Sequence, residues 1–181
     1  MIYVRICKSG STSVSNFVKE HCSILQVSSV GRRVDRLTGW LALERVKHEP
    51  CFTVVRNPFA RAVSQWQHCI RLGYDYTFEQ WLELDMHAMG PKERIHSLRQ
   101  VDYLRDCTGS IGWVNHILKL EDPELESKIK KLTGATGTLS HMAKGGYGKP
   151  DIYTPYAKEL VKAKYWMDFE VFGYDRKFMD R

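Results

Sequence analysis

Two kinds of apolar run alternate along the chain. Ile2 to Cys7 is short, nearly continuous and followed by a turn, so it predicts a buried strand. After the polar stretch that follows, Val14, Phe17 and Val18 recur at helical spacing, which places a helix start near Ser11 to Ser13. Ile24 to Val30 predicts a second strand, trailed by the basic, polar "GRRVDR", and Trp40 to Val46 a short helix. "CFTVV", Cys51 to Val55, is rich in β-prone residues and predicts a central strand. Asn57 and Pro58 then read as the cap and first residue of a helix striped by Phe59, Ala62, Val63, Trp66 and Ile70. Thr77 and Gln80 have capping-box spacing ahead of another helix. Residues 86–112 are mixed, with a helical piece expected around "SLRQVDYLRD". Trp113 to Leu120 predicts a strand. "EDPELESKIKKLTG" predicts a helix with Asp122 as cap and Gly134 past its end. "YTPYAKELVKAKYWMDF" predicts one closing helix capped by Thr154.

Strands alternating with helices define an α/β chain with a mainly parallel sheet, whose ligands sit beyond the carboxyl ends of the strands. With 181 residues, 43% of them hydrophobic, the chain is expected to form one domain over 1–181. A net charge of +6 favours an anionic partner, but the basic residues are scattered and do not say which one. Five cysteines without metal-ligand spacing, most of them in apolar runs, predict buried thiols in a reducing compartment. No run approaches the roughly 20 apolar residues of a membrane span, and "MIYVRICK" lacks a signal-peptide pattern. The expectation is a soluble, cytoplasmic protein with no metal.

Two strand ends carry the chemistry. The first is "RICKSGSTSV", where Lys8, Ser9, Gly10, Ser11, Thr12 and Ser13 crowd the turn between a strand and a helix. The first amides of a helix have no partner within it, carry partial positive charge and bind anions. Gly10 lets backbone approach a ligand, the hydroxyls add donors, and Lys8 adds a full charge. The lysine precedes the glycine, so this is not the Gly-Lys-Ser/Thr order of a Walker loop. The second is "VVRNPFARAVS": Arg56 leaves the strand, and Ser64, seven residues after Asn57, shares its helix face. A guanidinium with one hydroxyl suits a second phosphate.

"CKSGSTS" together with "VVRNPFARAVSQW" resembles the two nucleotide-binding signatures of sulfotransferases that use 3′-phosphoadenosine 5′-phosphosulfate (PAPS), most closely the carbohydrate sulfotransferase branch. Lys8, Gly10, Thr12 and Ser13 match the first signature; Val55, Arg56, Asn57, Pro58, Arg61 and Ser64 match the second. "LRQVDYL", "HILKLED" and the closing "YTPYAKELVKAKYWMDFEVFGYD" resemble later segments in the same order. Cys7 stands where the family has proline, and the expectation is a member without the membrane anchor and stem of Golgi members, of bacterial or viral origin.

The resemblance implies a P-loop-like three-layer fold with helices flanking the sheet, and in-line sulfuryl transfer from PAPS to an acceptor hydroxyl, on a glycan or a small molecule, leaving 3′-phosphoadenosine 5′-phosphate (PAP). Residues Lys8 to Ser13 would hold the 5′-phosphosulfate, and Arg56 with Ser64 the 3′-phosphate. Lys8 would neutralise charge on the bridging oxygen. A histidine, with a reference pKa of about 6.5, suits the general base. His96, just before "SLRQ", is the expected one; Glu44 is the alternative. Lys144 and Lys149, in "HMAKGGYGKP", form a basic flap that would reach the phosphates. Two rival classes are a P-loop kinase, against which the motif order speaks, and a non-catalytic nucleotide or polyanion binder. No RNA-binding signature is present.

Overall fold

Four strands make one parallel sheet in the order β2-β1-β3-β4: β1 (Ile2–Arg5), β2 (Leu25–Ser28), β3 (Cys51–Val55) and β4 (His116–Lys119). A computed structural model describes residues 1–22, 25–28, 48–84, 96–106, 108–139 and 150–178. The short predicted helix at 40–46, Glu44, Cys107 and the basic flap with Lys144 and Lys149 lie outside the described residues. β1 pairs in parallel with β2 on one side, Ile2 opposite Leu25, and with β3 on the other, Ile2 opposite Cys51. β3 is central, as its sequence predicts: β4 lies along its other edge, from Phe52 opposite His116 to Val55 opposite Lys119. Every residue of β3 is buried, the usual condition of a parallel strand covered on both faces. Thr53 satisfies its buried hydroxyl by donating to the Val4 carbonyl across the sheet, at 2.8 Å.

The described residues fall into two compact units, one within Met1–Arg56 and Gln100–Lys144, the other within Asn57–Arg99 and Gly145–Arg181. The sheet belongs to the first. Helix α1 (Ser11–His21) follows β1 and turns Val14, Phe17 and Val18 inward. With Leu125 and Ile129, one helical turn apart, they close over Tyr3, Phe52 and Val54 of the sheet. The Tyr3 and Phe52 rings stack at 5.0 Å.

The second unit is helical where described: α2 (Pro58–Arg71), α3 (Phe78–Glu83), α5 (Pro155–Lys164) and α6 (Trp166–Phe172), with α4 (Leu125–Thr133) belonging to the first. Asn57 caps α2 by accepting from the Phe59 amide, and Thr77 with Gln80 forms the complete capping box of α3. Phe59, Val63, Trp81, Val161 and Phe169 are among the core residues.

Several elements depart from the sequence reading for physical reasons. β4 starts at His116, not Trp113, because a turn closed by Val114 N–H to Ile111 O precedes it and the Trp113 indole donates to Leu104 O at 2.6 Å. Asp122 does not cap α4. Its carboxylate accepts from the Glu124 amide at 2.9 Å in a preceding turn, and the helix starts at Leu125 and ends at Gly134, φ 72°. The closing helix is two helices, broken at Tyr165. Around "SLRQVDYLRD" the chain makes a 3-10 turn at Val101–Tyr103. On α2, Phe59, Ala62 and Val63 of the expected stripe are buried, while Ile70 is 38% exposed; Arg61, Gln65 and Cys69 are buried as well. Hydropathy does not point to the two polar members of that buried set.

Candidate active site

The sheet order fixes where a ligand would lie. From β1 the chain goes to one side to make β2, then to the other to make β3, so the crevice of the topological switch opens at the carboxyl ends of β1 and β3. Both sequence motifs begin there. Ile6 and Cys7 continue β1 inward, buried at 0% and 7% exposure. Lys8 then takes φ 67°, the one non-glycine among the described residues in the left-handed region. Ser9 is buried and donates its hydroxyl to the Ile6 carbonyl at 2.9 Å, which pins the turn and turns that hydroxyl inward. Gly10, φ 73°, is the N-cap of α1 and offers no side-chain acceptor; no acidic residue lies in the first turn. Ser11 is buried, Ser13 half-buried and Thr12 exposed. The α1 end thus carries its positive dipole with no carboxylate in its own first turn and no side-chain cap.

Glycine is favoured at position 10 on two counts. Its φ suits glycine, and a Cβ there would meet Leu120 Cδ1 at 2.6 Å. Leu120 is held in turn by its amide, which bonds Val55 O at 2.8 Å just beyond β4. Gly10→Ala is expected to destabilise the protein by about 1–3 kcal/mol in chemical denaturation, from the left-handed backbone plus the displaced Leu120 side chain.

Arg56 extends β3 and is 9% exposed. Its guanidinium donates through Nη1 to the Lys8 carbonyl at 3.3 Å, so the arginine of one motif touches the turn of the other. Its main chain is held from both sides by the Gln100 amide: Arg56 N–H donates to Oε1 at 2.8 Å, and Nε2 donates to Arg56 O at 2.8 Å. Gln100 is fully buried. "LRQVDYL" resembles a family segment, but no local pattern gives Gln100 a role. A polar residue among Val101, Tyr103 and Leu104 was the available signal.

Ser64 and His96 lie in the second unit. Ser64 is half-buried on α2. His96 is half-buried; its ring meets that of His68 edge-on at 4.4 Å, and its carbonyl accepts from Gln65 Nε2. Arg61, matched to the second signature, is 1% exposed; it donates to Leu98 O at 2.8 Å and faces the Asp168 carboxylate at 4.0 Å. Gln65 also accepts from the Tyr165 phenol at 2.9 Å, and burial pushes that phenol well above the ordinary tyrosine range, so it stays protonated as donor.

A parallel sheet with a lysine-bearing turn off one strand and a buried arginine off the next defines an α/β protein with two basic residues beyond the carboxyl ends of neighbouring strands. The chain belongs to the sulfotransferase family, whose model matches residues 1–175 and so takes in both motifs and both units. No curated protein and no solved structure matches it significantly. Family membership makes the chain a transferase of sulfuryl groups with the α/β fold of that family. Among the described residues no helix is long and apolar enough to cross a membrane.

Proposed function

We propose that residues 1–181 form one sulfotransferase domain that moves a sulfuryl group from PAPS to a hydroxyl of a carbohydrate acceptor. The observation that carries this reading is the contact of Arg56 Nη1 with the Lys8 carbonyl, which joins two anion-binding elements at the switch point of the sheet. In this reading the amides and hydroxyls of Ser9 to Ser13 take the 5′-phosphosulfate, with Ser9 contributing backbone because its hydroxyl is used on Ile6. Arg56, Ser64 and Lys144 take the nucleotide's other phosphate oxygens. The acceptor oxygen attacks sulfur in line, the bond from sulfur to the bridging oxygen of the 5′-phosphate breaks, and PAP departs. Lys8 meets the charge that grows on that bridging oxygen, and His96 takes the acceptor proton.

The test is incubation with labelled PAPS and a panel of glycans, lipids and small alcohols. Labelled glycan is the expected product. Thermal stabilisation by ATP–Mg²⁺ but not by PAP overturns the reading in favour of a kinase. Arg56→Ala is expected to weaken PAP binding by roughly 10- to 100-fold in calorimetry, the loss of a charge-assisted contact to phosphate.

A further inference from the structure

The geometry points to Gln100 as a positioning residue for donor binding, acting through Arg56 rather than on the nucleotide. This rests on the PAPS reading of the site. An arginine that must hold a phosphate needs a fixed backbone, because its long side chain otherwise spends binding energy on becoming ordered. Arg56 stands one residue past the end of β3, where the sheet ladder has stopped, and Asn57 already caps the next helix. The strand cannot fix its peptide groups, and Gln100 does. One carboxamide accepts from the Arg56 amide and donates to the Arg56 carbonyl, both at 2.8 Å, as a neighbouring strand would. Gln100 is 0% exposed, so neither amide atom is turned to solvent.

The chain geometry adds a reason for this residue to come from here. Having left the first unit after Arg56, the chain re-enters it at Gln100. The 3-10 turn at Val101–Tyr103 follows at once, with Val101, Tyr103 and Leu104 buried. The glutamine is thus mounted on an anchored segment. Arg56 in turn reaches the Lys8 carbonyl, at 3.3 Å. The order of dependence is Gln100, then the Arg56 backbone, then the guanidinium and the turn at Lys8.

A double-mutant cycle tests this. Gln100→Met keeps length and volume but removes both hydrogen bonds. Its PAP affinity, measured by calorimetry, is expected to fall by roughly tenfold against the unmutated protein, about the worth of two buried hydrogen bonds. In an Arg56→Ala background the same substitution is expected to change PAP affinity by less than about twofold, because the group it positions is gone. A glutamine that merely holds the fold together would give equal losses in both backgrounds, and that additivity overturns the inference. So does unchanged PAP affinity in Gln100→Met alone. If Gln100→Met does not fold, the cycle is run with Gln100→Glu, which keeps the acceptor for the Arg56 amide and, when ionised, cannot donate to the carbonyl. The same two outcomes then decide. Failure of the unmutated protein to bind PAP removes the PAPS reading itself, a result distinct from additivity in a protein that binds.

Discussion

Lys8→Gly is expected to abolish sulfuryl transfer while leaving the protein at least as stable as before. The two halves of that expectation come from one observation. Lys8 has φ 67°, where a side chain carrying a Cβ costs on the order of 1–2 kcal/mol and glycine costs nothing sterically. Glycine gives part of this back through the larger entropy of its unfolded chain, about 0.5–1 kcal/mol, so the net effect on folding is neutral to stabilising. A lysine at a position that suits glycine is a backbone outlier in the turn after β1, and such outliers cluster at functional sites. The use we assign is charge neutralisation on the leaving oxygen. Removing one preorganised donor aimed at developing charge costs about 10²–10³ in kcat. PAP binding should survive, because the turn amides and Arg56 remain. Denaturation, PAP calorimetry and turnover with labelled PAPS on the same preparation check all three parts. Near-normal turnover in Lys8→Gly would remove Lys8 from the mechanism, and a large loss of stability would remove the strain argument.

How far the sequence carried this picture depends on what kind of signal each feature left. β1, α1, β3 and α2 were legible because they carry two agreeing cues, an apolar run and a cap or turn residue. Asn57, Pro58 and the Thr77–Gln80 box fall where the spacing puts them. The candidate site was legible as two motifs, since Lys8, Gly10 and Arg56 are chemically conspicuous at strand ends. What stayed hidden was the buried polar scaffold. Gln100 is a neutral side chain whose partner lies 44 residues away, and no local pattern announces a bond of that range. Arg61 and Gln65 lie outside the apolar stripe that the spacing of α2 predicts, yet are 1% and 0% exposed. The break at Tyr165 leaves no local signal for a related reason. Its phenol bonds Gln65, 100 residues earlier in the chain, and tertiary contacts of that kind decide helix ends that local propensity would run through.

That scaffold makes the second large effect a matter of stability. Asp168→Asn is expected to cost about 3–5 kcal/mol, the penalty of leaving a buried arginine without its carboxylate. Arg61 and Asp168 are 1% and 0% exposed and 4.0 Å apart, too deep for solvent to take over the charge. The guanidinium keeps its bond to Leu98 O, so the loss is that of the ionic partner and not of every contact. For a chain of 181 residues this corresponds to a drop in Tm of roughly 6–20 °C. Arg61 matches the second sulfotransferase signature, and its substitution would be expected to lower activity. The structure separates that loss from chemistry: Arg61 acts on the second unit, by tying α2 to the segment around Leu98 and to α6. The separating experiment is the paired change Arg61→Met with Asp168→Leu. Replacing both charges by apolar side chains of similar size is expected to recover most of the stability lost in either single variant, because a buried ion pair and a well-packed apolar pair differ little in net stability. If the double variant is as unstable as Asp168→Asn, the pair is not what holds these elements. If it is stable but has lost PAP binding, Arg61 belongs to the site and not to the scaffold.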